Sequence, residues 1–154
     1  MPNRIDSAGE GDCFRASLAF AAPEAAPADV ARLNEGFAAF LEERGAASEE
    51  ANALQIALEE LLTNLAKFGA APGTTVSVNL EARLESGKIS LAVSDDGVPF
   101  DPSALPPPPL EADPMQRPVG GLGVFMLRRM FDDLSYSREN GLNRSVWTLR
   151  RGKH

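Results

Sequence analysis

Histidine and cysteine are almost absent from the sequence. The one histidine, His154, is the last residue, and the one cysteine, Cys13, has neither a CxxC partner nor a neighbouring histidine. These absences exclude a Ser-His-Asp triad, an HExxH zinc site and an internal phospho-accepting histidine. They also exclude an internal disulfide, which favours a reducing compartment.

Long apolar runs and an excess of positive charge are lacking as well. No segment approaches the roughly 18 apolar residues of a membrane span, and the opening "MPNRIDSAGEGDC" has no apolar signal core. The net charge of −7 argues against nucleic-acid binding, which requires a basic surface. We therefore expect a cytoplasmic protein that contacts neither a membrane nor a nucleic acid directly.

Hydrophobic periodicity predicts a mixture of strands and helices. Alternating apolar residues predict strands in "FRASLAF", around Val76–Leu80 and Ile89–Val93, and in "LSYSRE" and "SVWTLRR". Apolar residues at helical spacing predict two helices, for which Asp29 and Ser48 are candidate caps, and a short helix after Gly120. The order β-α-α-β-β-lid-α-β-β predicts an α+β two-layer sandwich with a mostly antiparallel sheet and helices on one face. We expect a flexible N-terminus over residues 1–12 and a single domain over residues 13–154, with the lid at about residues 100–120.

The second predicted helix carries the first candidate site in "ALEELLTNLAKFG". Glu60 and Asn64 are four residues apart and share a helix face that also includes Phe68. A carboxylate can act as a general base, and an amide oxygen one turn away can bind Mg²⁺. Glutamate and asparagine on a helix are also typical of a solvated surface.

The strand from Lys88 to Ser94 runs into "DDGVPFDP", which contains the second candidate site. Asp95 at the end of a buried strand can accept a hydrogen bond from an exocyclic amine such as that of adenine, and Gly97 allows a ring to approach the backbone. The Asp-Gly pair is equally a strong turn signal, so a plain turn remains the alternative.

A proline-rich loop leads into three glycines, Gly120, Gly121 and Gly123, just ahead of the third helix. Exposed backbone N–H groups at a helix N-terminus favour anions, so this segment predicts a phosphate-binding lid. It is neither a P-loop nor a dinucleotide-binding fingerprint. A linker followed by a helix start is the simpler alternative.

Together, the ExxxN helix, the strand ending in DxG, the GGLG lid and a last strand carrying Thr148 resemble the GHKL ATP-binding superfamily. Within it the chain resembles the small anti-sigma factor serine kinases of bacterial partner-switching systems. The segments "DDGVPFDP", "RPVGGLGVFMLRRMFDDLSYSRENGLN" and "SVWTLRR" are the most specific to that subfamily. The resemblance covers residues from about Phe14 to Arg150 and implies the Bergerat fold.

The resemblance assigns roles to individual residues. It implies that Glu60 is the catalytic base and that Asn64 binds Mg²⁺ and ATP, whereas Glu59 lacks the four-residue spacing. It also implies ATP binding by a further set of residues: Asp95, Gly97, Pro99, Gly120, Gly121, Leu122, Gly123 and Thr148.

Some of these assignments leave alternatives open. Ser145 competes with Thr148 for the adenine site, and Arg117 is either a phosphate contact or an exposed arginine. Phe68 stands where many relatives have histidine, which removes a polar group near the phosphates.

The implied function is phosphorylation of a serine or threonine on an anti-anti-sigma antagonist of the STAS type, which controls a sigma factor. A homodimer is also implied, because relatives commonly dimerise. The alternative is a non-catalytic nucleotide-binding regulator that sequesters a protein partner.

Overall fold

The computed structural model describes residues 4–6, 13–21, 27–102 and 121–152, with only the backbone described for residues 4–6, 27 and 121–125. These ranges contain six strands and three helices in chain order. They are β1 Arg4–Asp6, β2 Cys13–Ala21, α1 Pro27–Glu43, α2 Ser48–Phe68, β3 Thr75–Leu84, β4 Lys88–Asp95, α3 Gly121–Met130, β5 Asp133–Glu139 and β6 Leu142–Arg150.

The six strands of the described ranges form one antiparallel sheet in the order β1-β2-β3-β4-β6-β5. The predicted α+β class and the predicted order of helices and strands after residue 13 are confirmed, whereas most of the predicted lid lies outside the described residues. Strand β1 lies within the segment that was predicted to be a flexible N-terminus, and it pairs with β2 through Ile5 and Ala16. The sequence analysis missed this strand because three residues are too few to show a period-2 pattern.

The core lies between one sheet face and the helices. Alternate strand residues are buried on that face, and they pack against the apolar stripes of α1 and α2 and against Leu127 of α3. Phe14 stacks at tilted angles on Phe37 and Phe40, with ring centroids 5.2 and 5.6 Å apart. Each fully buried large side chain stabilises the fold by about 1.5–3 kcal/mol relative to exposure. The register of the strands is therefore set by which residues must face the helices.

The opposite sheet face carries mostly small and charged side chains. Glu81 lies there between Arg15 and Arg83, at N–O distances of 3.0 and 2.9 Å. Burial alone would raise the pKa of Glu81, but hydrogen bonds from the two arginines outweigh it and hold the pKa below its usual 4.5. Because this face is polar, the strand sequences alternate between apolar and polar residues and do not form continuous apolar runs.

The helix starts differ from the predicted caps. Helix α1 begins at Pro27, so Asp29 lies in its first turn rather than at the cap, and proline suits the first helical position. In α2 the cap is Ala47 and not Ser48; the Ala47 N–H donates to Oε1 of Glu50 at 2.8 Å. Both predicted caps lie inside the helices, because the side chains that suit a cap are also found in the first helical turn. None of the helices in the described ranges is long and apolar enough to span a membrane.

Candidate functional site

Helix α2 brings Glu60 and Asn64 together. Asn64 is buried, and its Nδ2 donates to Oε2 of Glu60 at 3.3 Å. Glu59 points elsewhere, because its Oε1 accepts a hydrogen bond of 3.2 Å from Asn34 of α1. Of the two glutamates, Glu60 is therefore the hydrogen-bonded neighbour of Asn64, as its four-residue spacing predicts.

The hydrogen bond to Glu60 also orients the Asn64 amide. Because Nδ2 is the donor in that bond, the amide oxygen Oδ1 is left without a hydrogen-bond partner among the described residues. A free amide oxygen is a suitable ligand for a hard cation such as Mg²⁺, which usually takes one or two protein ligands and completes its shell with phosphates and water. No group of three or more His, Cys, Asp or Glu residues in the described ranges could hold a metal alone.

Backbone groups of the turn after β4 hold the Asp95 carboxylate in place. The Gly97 N–H donates to Oδ1 of Asp95 at 2.9 Å, and the Val98 N–H donates to the carbonyl of Gly69, at the end of α2, at 2.7 Å. A Cβ at position 97 would lie only 2.6 Å from that Gly69 carbonyl oxygen, so the close approach of the two segments requires glycine here. The neighbouring Asp96 turns the other way and accepts from the Ser77 N–H at 2.8 Å.

A pocket lies between the C-terminal half of α2 and the strand ends of β4, β5 and β6. Its wall combines apolar side chains with a few converging polar groups, which is typical of a small-molecule site. The lining residues are Leu61, Asn64, Leu65, Phe68, Gly69, Val93, Asp95, Val98, Phe100, Pro102, Tyr136, Asn143 and Ser145. Of the predicted site residues, Asn64 and Asp95 line the pocket itself, and Gly97 shapes the turn beside it.

The structure does not bring Thr148 to this pocket. Residues alternate between the faces of β6, and Asn143, Ser145 and Trp147 are buried on the pocket and core side. Thr148 therefore lies on the opposite face, where it is paired with Ser90 of β4 and Asp133 of β5. The competing residue, Ser145, lines the pocket, and its Oγ accepts a hydrogen bond of 3.1 Å from Trp147 Nε1.

Two further residues that the sequence singles out are Pro99 and Phe68, and only Phe68 lines the pocket. Pro99 is exposed and does not line the pocket, whereas its neighbours Val98 and Phe100 do. Phe68 is the last residue of α2, is 52% exposed, and stands at the pocket as an apolar group.

Helix α3 begins at Gly121, so Gly121, Leu122 and Gly123 lie in its first turn instead of preceding it. The first-turn N–H groups of a helix have no intrahelical partner and favour anions. Gly120, Arg117 and the lid over residues 103–120 lie outside the described residues. Helix α3 packs against α2, which carries Glu60 and Asn64.

The sequence analysis missed Asn143, Tyr136 and Arg138. Asn143 is 4% exposed and donates to Oδ1 of Asp95 at 2.9 Å, and it accepts from Tyr136 and Arg138 of β5. The sequence contains one indication of this role. Asn143 lies two and four residues before Ser145 and Trp147, so the alternation of a strand places this polar residue on the same inward face. Its partners could not be read from the sequence, because they come from another strand and from the turn after β4.

Comparison with known proteins identifies the family. Residues 24–148 match the family described as the histidine kinase-like ATPase domain. The chain belongs to this family. The match includes α1, α2, the pocket and most of β6.

Several curated proteins that are similar to this chain are named as protein kinases. The chain is 30% identical over 95 residues to the serine/threonine-protein kinase BtrW of Bordetella bronchiseptica, covering 62% of this chain and 67% of BtrW. It is 27% identical over 94 residues to the serine-protein kinase RsbW of Listeria innocua, covering 58% of this chain and 60% of RsbW. The RsbW of Listeria monocytogenes matches equally. The matched segment thus spans about three fifths of the RsbW relatives.

Proposed function

We propose that the chain is an ATP-dependent protein serine kinase that regulates a sigma factor by partner switching. The observation that carries this proposal is the pairing, in one pocket, of the Asp95 carboxylate at a strand end with the Asn64 amide of α2. An ATPase family and relatives named as serine kinases support it. The substrate is proposed to be a serine or threonine on an anti-anti-sigma protein of the STAS type.

The nucleotide is proposed to bind with adenine at the strand ends and phosphates near α2 and α3. Oδ1 of Asp95 is engaged by the Gly97 N–H, and the exocyclic amine of adenine would donate to this carboxylate. We assign Ser145 rather than Thr148 to the adenine site as its β6 residue, because Ser145 lines the pocket. The backbone of Gly121–Gly123 and a lid over about residues 100–120 would contact the phosphates.

Phosphoryl transfer depends mainly on positioning and on neutralising charge. Oδ1 of Asn64 would bind Mg²⁺, which neutralises charge on the phosphates. Glu60 lies beside Asn64 and would accept the proton of the substrate hydroxyl as its oxygen forms the bond to the γ-phosphorus and the bond to ADP breaks. The hydrogen bond between Glu60 and Asn64 keeps base and metal ligand in one geometry.

One feature favours the alternative of a non-catalytic nucleotide-binding regulator. Phe68 is 52% exposed at the pocket, so no polar side chain is available at this position to contact a phosphate. In this alternative the protein binds nucleotide and sequesters its partner without transferring a phosphoryl group. A homodimer and a direct complex with a sigma factor are compatible with either function.

The test is phosphoryl transfer from labelled ATP to a STAS-domain protein of the same organism, with the wild type and the Glu60→Gln variant. The kinase proposal predicts label on the STAS protein with the wild type, and a loss of at least about 100-fold in rate with Glu60→Gln. The Glu59→Gln variant is the matched control and is expected to retain activity, since Glu59 is bonded to Asn34. Nucleotide and partner binding without any label transfer would instead favour the non-catalytic regulator.

A further inference from the structure

Asn143 is the most completely satisfied buried polar side chain at the pocket. It is 4% exposed on β6, and it pairs in register with Asp95 of β4 on one side and Arg138 of β5 on the other. Its amide therefore lies where the turn after β4 meets the outermost strand of the sheet. A buried amide in such a place is costly unless all of its hydrogen-bonding groups are used.

Both N–H groups of the amide are used. Nδ2 donates to Oδ1 of Asp95 at 2.9 Å and to the carbonyl of Val98 at 2.8 Å, with the Gly97 carbonyl farther away at 3.4 Å. The asparagine thus connects the Asp95 carboxylate to the turn that follows it. The turn and the carboxylate are held by one side chain from a different strand.

The amide oxygen is used as well. Oδ1 accepts from the Tyr136 hydroxyl at 2.5 Å, from Nη1 of Arg138 at 2.9 Å and from the Phe100 N–H at 3.4 Å. All three of these groups act as donors to Oδ1, whereas the partners of Nδ2 are all acceptors. A 180° flip of the amide would place its N–H groups against other donors and its oxygen against other acceptors. The orientation of the amide is therefore fixed.

This arrangement decides which oxygen of Asp95 is free. Oδ1 accepts two hydrogen bonds of 2.9 Å, from the Gly97 N–H and from Asn143, while Oδ2 has no hydrogen-bond partner among the described residues. The geometry points to Asn143 as a positioning residue that presents Oδ2 of Asp95 to the amino group of a purine and so makes the site select adenine over 6-oxopurines. This inference rests on the proposed function, because it assumes that the pocket binds a nucleotide base.

The selectivity follows from the direction of the hydrogen bond. An ionised carboxylate oxygen accepts from the 6-amino group of adenine but meets the lone pairs of the 6-oxo group of hypoxanthine. Asn143 donates to Oδ1 of Asp95, so its hydrogen bond leaves Oδ2 as the oxygen that can accept from a base. Among the described residues, Tyr136 and Arg138 form no hydrogen bond or ion pair with Asp95; they are linked to it through Asn143 and, for Arg138, also through the Gly97 carbonyl.

The test compares ATP with ITP, which carries a 6-oxo group, in calorimetric titrations of the full chain and of the Asn143→Asp variant. Aspartate has the same shape and still accepts from Tyr136, Arg138 and the Phe100 N–H, but it cannot donate to Asp95. We expect ATP affinity to fall by at least about tenfold and ITP affinity to fall much less. The Asn79→Asp variant makes the same change at an exposed position on the opposite sheet face and is expected to leave both affinities unchanged.

The pH dependence separates positioning from a merely structural role. In Asn143→Asp, the facing carboxylates of residues 95 and 143 raise the pKa of one of them, although Arg138 opposes this from β5. A proton taken up on the side facing Asp95 restores the missing donor. ATP affinity of the variant, expressed relative to the wild type at each pH so that titration of the nucleotide cancels, should rise as the pH falls from 8 to 5.5.

A second variant covers the case in which Asn143→Asp does not fold. Tyr136→Phe keeps the ring but removes one donor to the amide, and it should reduce the preference for ATP over ITP by a few fold. Equal losses of ATP and ITP affinity without recovery at low pH, or an unchanged preference in both variants, would overturn the role of Asn143 alone. A wild type that binds no nucleotide would overturn the proposed function itself.

Discussion

At the scale of single residues, Gly97 shows that the close approach of two backbone segments restricts which residue can occupy a position in the site. A Cβ at this position would lie 2.6 Å from the Gly69 carbonyl oxygen and 3.1 Å from Oδ1 of Asp95. In the sequence, Gly97 predicts either a close approach of a ring to the backbone or a plain turn after Asp95. The requirement for glycine comes from Gly69, which is far away in the chain, and so could not be read from the local sequence.

We predict that Gly97→Ala displaces the turn and weakens nucleotide binding. The overlap with the Gly69 carbonyl should reduce the free energy of unfolding by about 1–3 kcal/mol, and the displaced Asp95 should lower ATP affinity. Urea unfolding and ATP titration measure the two effects. Gly87→Ala is the matched control, because a Cβ there meets nothing within 4 Å. An unchanged ATP affinity in Gly97→Ala would contradict the placement of the base beside this turn.

The two candidates on β6 give a second prediction at this scale. Ser145→Ala should weaken ATP binding, and it should also cost about 1 kcal/mol of stability because Trp147 Nε1 loses its partner. Thr148→Ala should leave ATP affinity unchanged, because Thr148 lies on the other face of the sheet. Calorimetric titration of both variants checks this, and a larger loss in Thr148→Ala would restore the original assignment.

At the scale of elements, the sequence predicted most of the helices and strands because each buries one face. Alternation in β2, β3 and β4 and the leucine stripe of α2 are strong signals, since the residues concerned are the ones that pack in the core. The features that the sequence did not predict depend on interactions between elements. Strand β1 exists through its pairing with β2, and the Asn143 network joins β4, β5 and β6.

A contact between elements also fixes the start of α2. Glu50, 3% exposed, accepts from the Ala47 N–H at 2.8 Å, and its Oε1 lies 3.4 Å from Nε of Arg151 just after β6. Arg151 also donates to the carbonyls of Glu85 at 2.8 Å and Gly45 at 3.2 Å. One arginine thus ties the end of β6 to the β3–β4 turn and to the α1–α2 connection.

We predict that Arg151→Met destabilises the protein by about 3 kcal/mol, because it leaves the buried Glu50 carboxylate without its charge partner. Fluorescence of Trp147, the one tryptophan and fully buried, reports urea unfolding directly. Arg144→Met on the exposed sheet face is the control and should change stability by less than about 0.5 kcal/mol. The double variant Glu50→Gln/Arg151→Met should recover part of the loss, since glutamine still accepts from Ala47. No recovery would argue against the ion pair as the cause.

At the scale of the whole molecule, the sheet is covered by helices on one face, and the pocket opens where α2 passes the ends of β4, β5 and β6. The larger concavity of the opposite face is lined by Arg15, Ser17, Asn79, Glu81 and Arg144 among others, and it contains none of the proposed ATP-binding residues. The core therefore positions the proposed site through α2 and β4 together. A ligand in this pocket contacts both layers, so its binding should stabilise the entire fold.

We predict that ATP with Mg²⁺ raises the melting temperature of the full chain in a concentration-dependent way. A ligand at a hundredfold excess over its Kd stabilises the native state by about 2.7 kcal/mol, or roughly 5–10 °C for a domain of this size. Asp95→Asn should lose most of this increase, because its side chain no longer offers a carboxylate to the adenine amine.

Asn64→Ala should lose the part of the increase that depends on Mg²⁺ while keeping a smaller shift with ATP alone, since Asn64 is proposed to bind the cation rather than the base. Asn79→Ala on the exposed sheet face is the control and should behave as the wild type. If Mg²⁺ changed the melting temperature neither in the wild type nor in Asn64→Ala, Asn64 would have no role in metal binding. The proposed site for the base would be unaffected by that result. A shift retained in full by Asp95→Asn would place the nucleotide elsewhere in the molecule, because no other carboxylate lines this pocket among the described residues.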